Sequence, residues 1–235
     1  MKKQFINYAH RGASHYYPEN TMLSFRHGLE MDANGIETDV QITKDGVLVL
    51  FHDDTMDRVT GKTGCVADYT YAELLTFDVH KDNLTAKIPT FEEFLLEFGK
   101  YDLTFAIELK VKGIEKQVAD MIYKCGVKDK VIITSFIYDA ILEMKNCAPD
   151  LRRGYLVFQL DEKTRKEIET LDLYEICPNG KALSKEEVQE YHDKGYGVRA
   201  WNMTDEQIMA ETVEKGVDGM TVNFPDKLTE YLKNR

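Results

Sequence analysis

Short apolar runs alternate with stretches of helical periodicity along nearly the whole chain. The runs with the length and composition of strands are 5–10 (FINYAH), 36–40 (IETDV), 47–52 (VLVLFH), 104–109 (TFAIEL) and 131–135 (VIITS). They continue at 154–158 (GYLVF), 174–177 (YEIC), 198–202 (VRAWN) and 220–223 (MTVN). Helix starts between them carry a hydroxyl followed three residues later by Glu or Gln: Thr90 with Glu93, Ser184 with Glu187, and Thr204 with Gln207. Gly99, Gly126, Gly195 and Gly216 read as helix ends, where glycine takes the left-handed conformation at little cost.

Strand–helix alternation at this period predicts parallel strands with right-handed crossovers. For a chain of 235 residues the leading α/β fold is a TIM (β/α)8 barrel, with a doubly wound open sheet as the alternative. There are nine strand candidates for eight places, and either 154–158 or 174–177 is expected to be the minor one. Residues 53–89 break the alternation: they are turn-rich, with Thr70 and Glu73 opening one short helix. They are expected to form a rim insertion after the third strand, within a single domain spanning 1–235.

Composition narrows the partners. With 41 acids against 30 bases, a formal net charge of −11, the chain lacks the basic face that nucleic acids and anionic membranes demand. No apolar run approaches the roughly 18 residues needed to span a bilayer, and the stretch before His10 is too brief for a secretory core. Cys65, Cys125, Cys147 and Cys177 form no CxxC or zinc-like spacing and read as reduced thiols. The expected compartment is the cytoplasm. The oligomeric state stays open, with a homo-oligomer among the options.

Polar residues gather at the C-terminal ends of the predicted strands. These are His10-Arg11, Glu37 and Asp39, His52-Asp53, Glu108 and Lys110, Ser135-Phe136, Trp201-Asn202 and Asn223. Pairs spaced by two share one face of a strand, and the C-terminal rim of a parallel barrel is where active sites sit. Glu37, Asp39 and Glu108 offer hard oxygen ligands suited to Mg²⁺ or Ca²⁺; a zinc site would recruit His10 and His52 instead. Arg11 and Lys110 can hold an anion, and two histidines can serve as acid and base near neutral pH. Together these fit phosphoryl transfer to water.

The segments AHRGASHYYPENT (9–21), GIETDV (35–40), LFHDDTMDRVTGKTG (50–64), FAIELK (105–110), TSF (134–136), RAWN (199–202) and VNFPD (222–226) resemble the glycerophosphodiester phosphodiesterase family over essentially the full chain. The resemblance implies a phospholipase-C-like barrel, one divalent cation, and hydrolysis of a small glycerophosphodiester to glycerol 3-phosphate and an alcohol. By position, Glu37, Asp39 and Glu108 match the metal-binding acids, His10 and His52 the catalytic pair, and Arg11 and Lys110 the phosphate-contacting bases. Trp201 and Phe136 are expected to wall the substrate, whereas Glu19 and Asn20 read as structural residues of the loop before the first helix. Two departures stand out: Asn202 follows the tryptophan where the family commonly has Thr, and Asn223 stands where TD-x-P is usual. A lysophospholipase-D-like reaction is the second reading. A non-catalytic phosphodiester-binding module ranks last, because His10, Glu37, Asp39, His52 and Glu108 are all present.

Overall fold

The computed structural model describes residues 4–235. In chain order these form β1 (Ile6–His10), α1 (Met22–Glu30), β2 (Gly35–Ile42), β3 (Leu48–Leu50), α2 (Asp57–Thr60), α3 (Tyr71–Leu74), β4 (Val79–Lys81), β5 (Leu84–Ala86) and α4 (Phe91–Phe98). The regular alternation follows: β6 (Thr104–Leu109), α5 (Glu115–Lys124), β7 (Val131–Ser135), α6 (Tyr138–Cys147), β8 (Arg152–Val157) and α7 (Glu162–Leu171). It ends with β9 (Glu175–Pro178), α8 (Lys185–Asp193), β10 (Gly197–Met203), α9 (Glu206–Glu214), β11 (Gly219–Val222) and α10 (Pro225–Lys233). Eight strands pair in parallel in the order β1-β2-β6-β7-β8-β9-β10-β11, and β11 returns to β1, so the sheet closes into the expected barrel.

Each barrel strand serves two environments at period two. One face, with Ile36, Phe105, Ile107, Val131, Ile133, Ile176, Val198 and Met220, packs under the helices as the main core. The other face points into the barrel and lines a cavity at the C-terminal rim, with Thr134 and Phe136, Arg199 and Trp201, and Thr221 and Asn223. The core beneath α1 and α4 is aromatic: Phe94 lies 4.9 Å from Phe25, 5.3 Å from Phe98 and 5.3 Å from Phe105 between ring centroids. Phe94→Ala is therefore expected to lower unfolding free energy by about 3–5 kcal/mol, measured by urea denaturation.

The odd strand is 47–52, not 154–158 or 174–177. The latter two supply β8 and β9 of the barrel, while β3 runs antiparallel to β2 outside it, pairing Val40 with Leu50 and Ile42 with Leu48. The reason is double burial. Leu48 and Leu50 face the main core, whereas Val49 and Phe51 face a second cluster with Met56, Val59, Val66, Leu74, Val79 and Ile88. A strand with a core on each side reads as a continuous apolar run, like a barrel strand. In β9 the reverse holds, because Glu175 sits inside the barrel, where it accepts from Arg199 Nε at 2.7 Å.

The excursion from the barrel thus starts right after β2 and includes β3. Beside the expected short helix α3, it also holds more regular structure than the turn-rich reading of 53–89 predicts: α2 and the hairpin β4–β5. Thr70, Thr90 and Ser184 cap their helices as expected. For α9 the cap is Asp205, not Thr204, since its carboxylate accepts the Ile208 N–H at 2.9 Å. Gly99 is not left-handed (φ −59°). A Cβ there would fall 2.6 Å from Val127 Cγ1, so close packing accounts for that glycine. No helix among the described residues is long and apolar enough to cross a membrane.

Candidate active site

At the end of β1 the chain turns sharply through two left-handed residues, Arg11 (φ +54°) and Gly12 (φ +82°). Only glycine fits the second: a Cβ would meet Ser24 Oγ at 2.4 Å. The turn brings the Arg11 N–H onto the side chain of Glu37 (3.1 Å to Oε2). Arg11, Asn20 and Asn202 are three of the six non-glycine residues with positive φ among those described, and all three lie at this rim, where strained backbone tends to collect.

Glu37, Asp39 and Glu108 come from neighbouring strands, with Asp39 and Glu108 directly paired in register. All three are buried, and each offers a carboxylate oxygen within 4.8 Å of the others. Burial first, then repulsion from Asp39, raises Glu37 well above the ordinary carboxylate range; the same causes raise Glu108. Asp39 is held low despite its burial, because Arg11, His52 and Lys110 surround it. Its Oδ2 accepts from Asn20 Nδ2 at 2.8 Å, while its Oδ1 is buried with no hydrogen-bond partner. An orphaned oxygen beside two carboxylates of raised pKa is a donor set short of positive charge, and its hard oxygens suit Mg²⁺ or Ca²⁺.

A second group, Glu19, His52 and Asp53, has similar spacing but is already neutralised. Arg58 holds both of its carboxylates, and Arg11 Nη1 adds a bond to Glu19 at 2.8 Å. Asp53 also accepts from His52 Nδ1 at 2.6 Å. Burial alone would raise Asp53, yet Arg58 and His52 hold it at about 2.

The two imidazoles have different partners. His10 Nδ1 bonds the amide oxygen of Asn223, and its Nε2 lies 3.7 Å from Glu37. Burial, then the adjacent Arg11 guanidinium, pushes its pKa down to about 3, so it is neutral at pH 7. His52 bonds a carboxylate instead. It does not end a barrel strand, contrary to the sequence reading, but approaches the rim from the excursion after β3. Lys110, just beyond β6, contacts Glu108 at 2.8 Å and Asp39 at 3.8 Å.

His10, Arg11, Glu37, His52 and Glu108 line one cavity of about 250 Å³ at the rim. Asp39 and Lys110 lie behind that lining. Trp201 and Phe136 form its apolar wall, their rings 5.0 Å apart and nearly perpendicular. Trp201 Nε1 donates to Cys177 O at 3.1 Å, which fixes the indole. Every site residue expected from sequence is therefore at this rim. Four residues carried no expected role there: Phe158, stacked on Phe136 at 4.7 Å and 66% exposed, and Asp53, Arg58 and Asn223. Glu19 and Asn20 do hold the loop, but they also bond Arg11 and Asp39. The signal for Arg58 was its place in DDTMDRVTG, five residues beyond Asp53; for Asn223 it was the departure from TD-x-P.

The model of the glycerophosphoryl diester phosphodiesterase family matches residues 10–227. A glycerophosphodiester phosphodiesterase of Bacillus altitudinis is 32% identical over 96% of this chain and 98% of its own. One of Caldanaerobacter subterraneus subsp. tengcongensis is also 32% identical, covering 96% of each. Among solved structures, an Oleispira antarctica phosphodiesterase in complex with the product sn-glycerol-3-phosphate superposes with a TM-score of 0.88, at 26% identity, over 97% of this chain and 96% of that one. The chain belongs to the glycerophosphoryl diester phosphodiesterase family of enzymes.

Proposed function

We propose that the chain hydrolyses glycerophosphodiesters to sn-glycerol 3-phosphate and an alcohol, using one divalent cation held by Glu37, Asp39 and Glu108. The observation that carries this reading is one small rim cavity lined by His10, Arg11, Glu37, His52 and Glu108, with Asp39 completing the carboxylate cluster and Lys110 paired to Glu108. When bound, the cation supplies Lewis-acid polarisation of a phosphoryl oxygen and acidifies a hydroxyl beside it.

The remaining steps fall to side chains. Arg11 and Lys110 hold the phosphate oxygens, Arg11 through its planar fork. Both stay charged: burial opposes their charge, but Asp39 and its neighbouring carboxylates raise both above their ordinary values. His10, whose Nδ1–H is committed to an amide oxygen, takes the nucleophile's proton at Nε2. His52, whose Nδ1–H is held by the Asp53 carboxylate at 2.6 Å, delivers a proton to the leaving alkoxide. The alcohol rests against Trp201 and Phe136.

Arg11→Lys keeps the charge and loses the fork. It is expected to lower kcat for glycerophosphocholine by about 10- to 100-fold, read by steady-state kinetics; an unchanged rate would remove Arg11 from the phosphate site. The overall reaction is tested by stripping the protein with chelator and reassaying it with each metal in turn.

A further inference from the structure

Arg58 lies on α2, outside the barrel, yet its guanidinium grips two carboxylates at once. Nε and Nη2 reach Asp53 at 2.6 and 2.9 Å, and Nη1 and Nη2 reach Glu19 at 2.7 and 2.6 Å. Each carboxylate passes the contact inward. Asp53 accepts from His52 Nδ1 at 2.6 Å. Glu19 accepts from Arg11 Nη1 at 2.8 Å, and Arg11 Nε lies 3.3 Å from Asp39. One side chain thus joins the proposed acid to the proposed phosphate clamp and, through it, to the carboxylate cluster.

We infer that Arg58 is a positioning residue, which fixes His52 through Asp53 and Arg11 through Glu19, so that the excursion between β2 and α4 completes the active site. The inference rests on the function proposed above. Without a cation between them, Glu19 and Asp53 are two neighbouring like charges that repel, and each would swing its partner off line. Displacements of about 1 Å at a reacting centre can cost about 100-fold in rate. A lysine cannot substitute, because it presents a point charge where two planar carboxylates need a fork.

The excursion supplies this residue rigidly. Met56 and Val59 flank Arg58 and are buried in the second apolar cluster, and Gly61 closes α2 in the left-handed conformation. The Arg58 side chain itself is 51% exposed. Exposed ion pairs contribute little to stability, so its removal separates positioning from folding.

The test compares Arg58→Ala and Arg58→Lys with the unsubstituted protein, using glycerophosphocholine and Mg²⁺ for kinetics. A ¹⁵N-histidine NMR spectrum of the metal-free protein reports the His52 Nδ1–H bonded to Asp53. The expected result is a fall in kcat of about 10- to 100-fold in both variants, a thermal midpoint close to that of the parent, and loss of the hydrogen-bonded Nδ1–H signal. Free guanidinium ion added to Arg58→Ala should recover activity several-fold, because the vacated position opens to solvent. A kcat within about twofold of the parent in either variant would overturn the inference. So would a loss matched by a collapsed thermal midpoint and insensitive to guanidinium. If the unsubstituted protein shows no turnover, the function proposed above fails, while the histidine spectrum still decides the role of Arg58.

Discussion

Glu37→Gln is expected to abolish turnover supported by a divalent cation and to leave the metal-free protein at least as stable as its parent. Both halves follow from the charge balance of the rim. Glu37 is buried beside two other carboxylates, and burial plus their repulsion lifts it far from its ordinary value. Glutamine keeps the shape and can still accept the Arg11 N–H that now meets Glu37 Oε2 at 3.1 Å, while it removes a charge whose burial is costly. The same charge is one of the three that would hold the cation. Its loss should lower kcat by at least about 1000-fold, given the several kcal/mol a metal supplies to a phosphoryl transition state. Calorimetric titration with Mg²⁺ and Ca²⁺, beside thermal unfolding with and without metal, checks each part. A variant that binds either ion as tightly as the parent would contradict the assignment, and so would one that unfolds when metal-free.

Either His10→Ala or His52→Ala should cost about 100- to 10,000-fold in kcat on glycerophosphocholine, the range that general acid–base catalysis supplies. The two losses should differ in kind. The leaving alkoxide of choline needs a proton, whereas p-nitrophenolate does not. On the p-nitrophenyl ester of glycerol 3-phosphate, His52→Ala should therefore regain most of its rate and His10→Ala should not. Recovery in His10→Ala instead would reverse the roles drawn from their partners, an amide at His10 and a carboxylate at His52.

Alternation of strands and helices was enough to read the barrel, because the outward strand faces are mainly apolar and pack under the helices. What misled was burial on unexpected sides. VLVLFH looked like a barrel strand because Val49 and Phe51 have a small core of their own. YEIC, one of the two candidates for the minor strand, carries Glu175, which is paired inside the barrel with Arg199; Arg199 also donates to Thr221 at 2.7 Å. A buried ion pair of this kind has no periodicity to announce it. Likewise, the acids and His10 at barrel-strand ends were legible from position, whereas His52 comes from the excursion after β3. The partners that orient them, Asp53, Arg58 and Asn223, depend on contacts that no spacing rule encodes. The chain distance from Arg58 to Glu19 is bridged only once the excursion folds over the rim.

The measurement that bears most directly on the central claim is ³¹P NMR of glycerophosphocholine incubated with chelator-stripped protein, before and after a divalent cation is restored. The account predicts no change until Mg²⁺ or Ca²⁺ is added, then conversion of the diester resonance into that of sn-glycerol 3-phosphate with release of choline. Turnover in the presence of excess chelator, or phosphocholine and glycerol as the products, would contradict it.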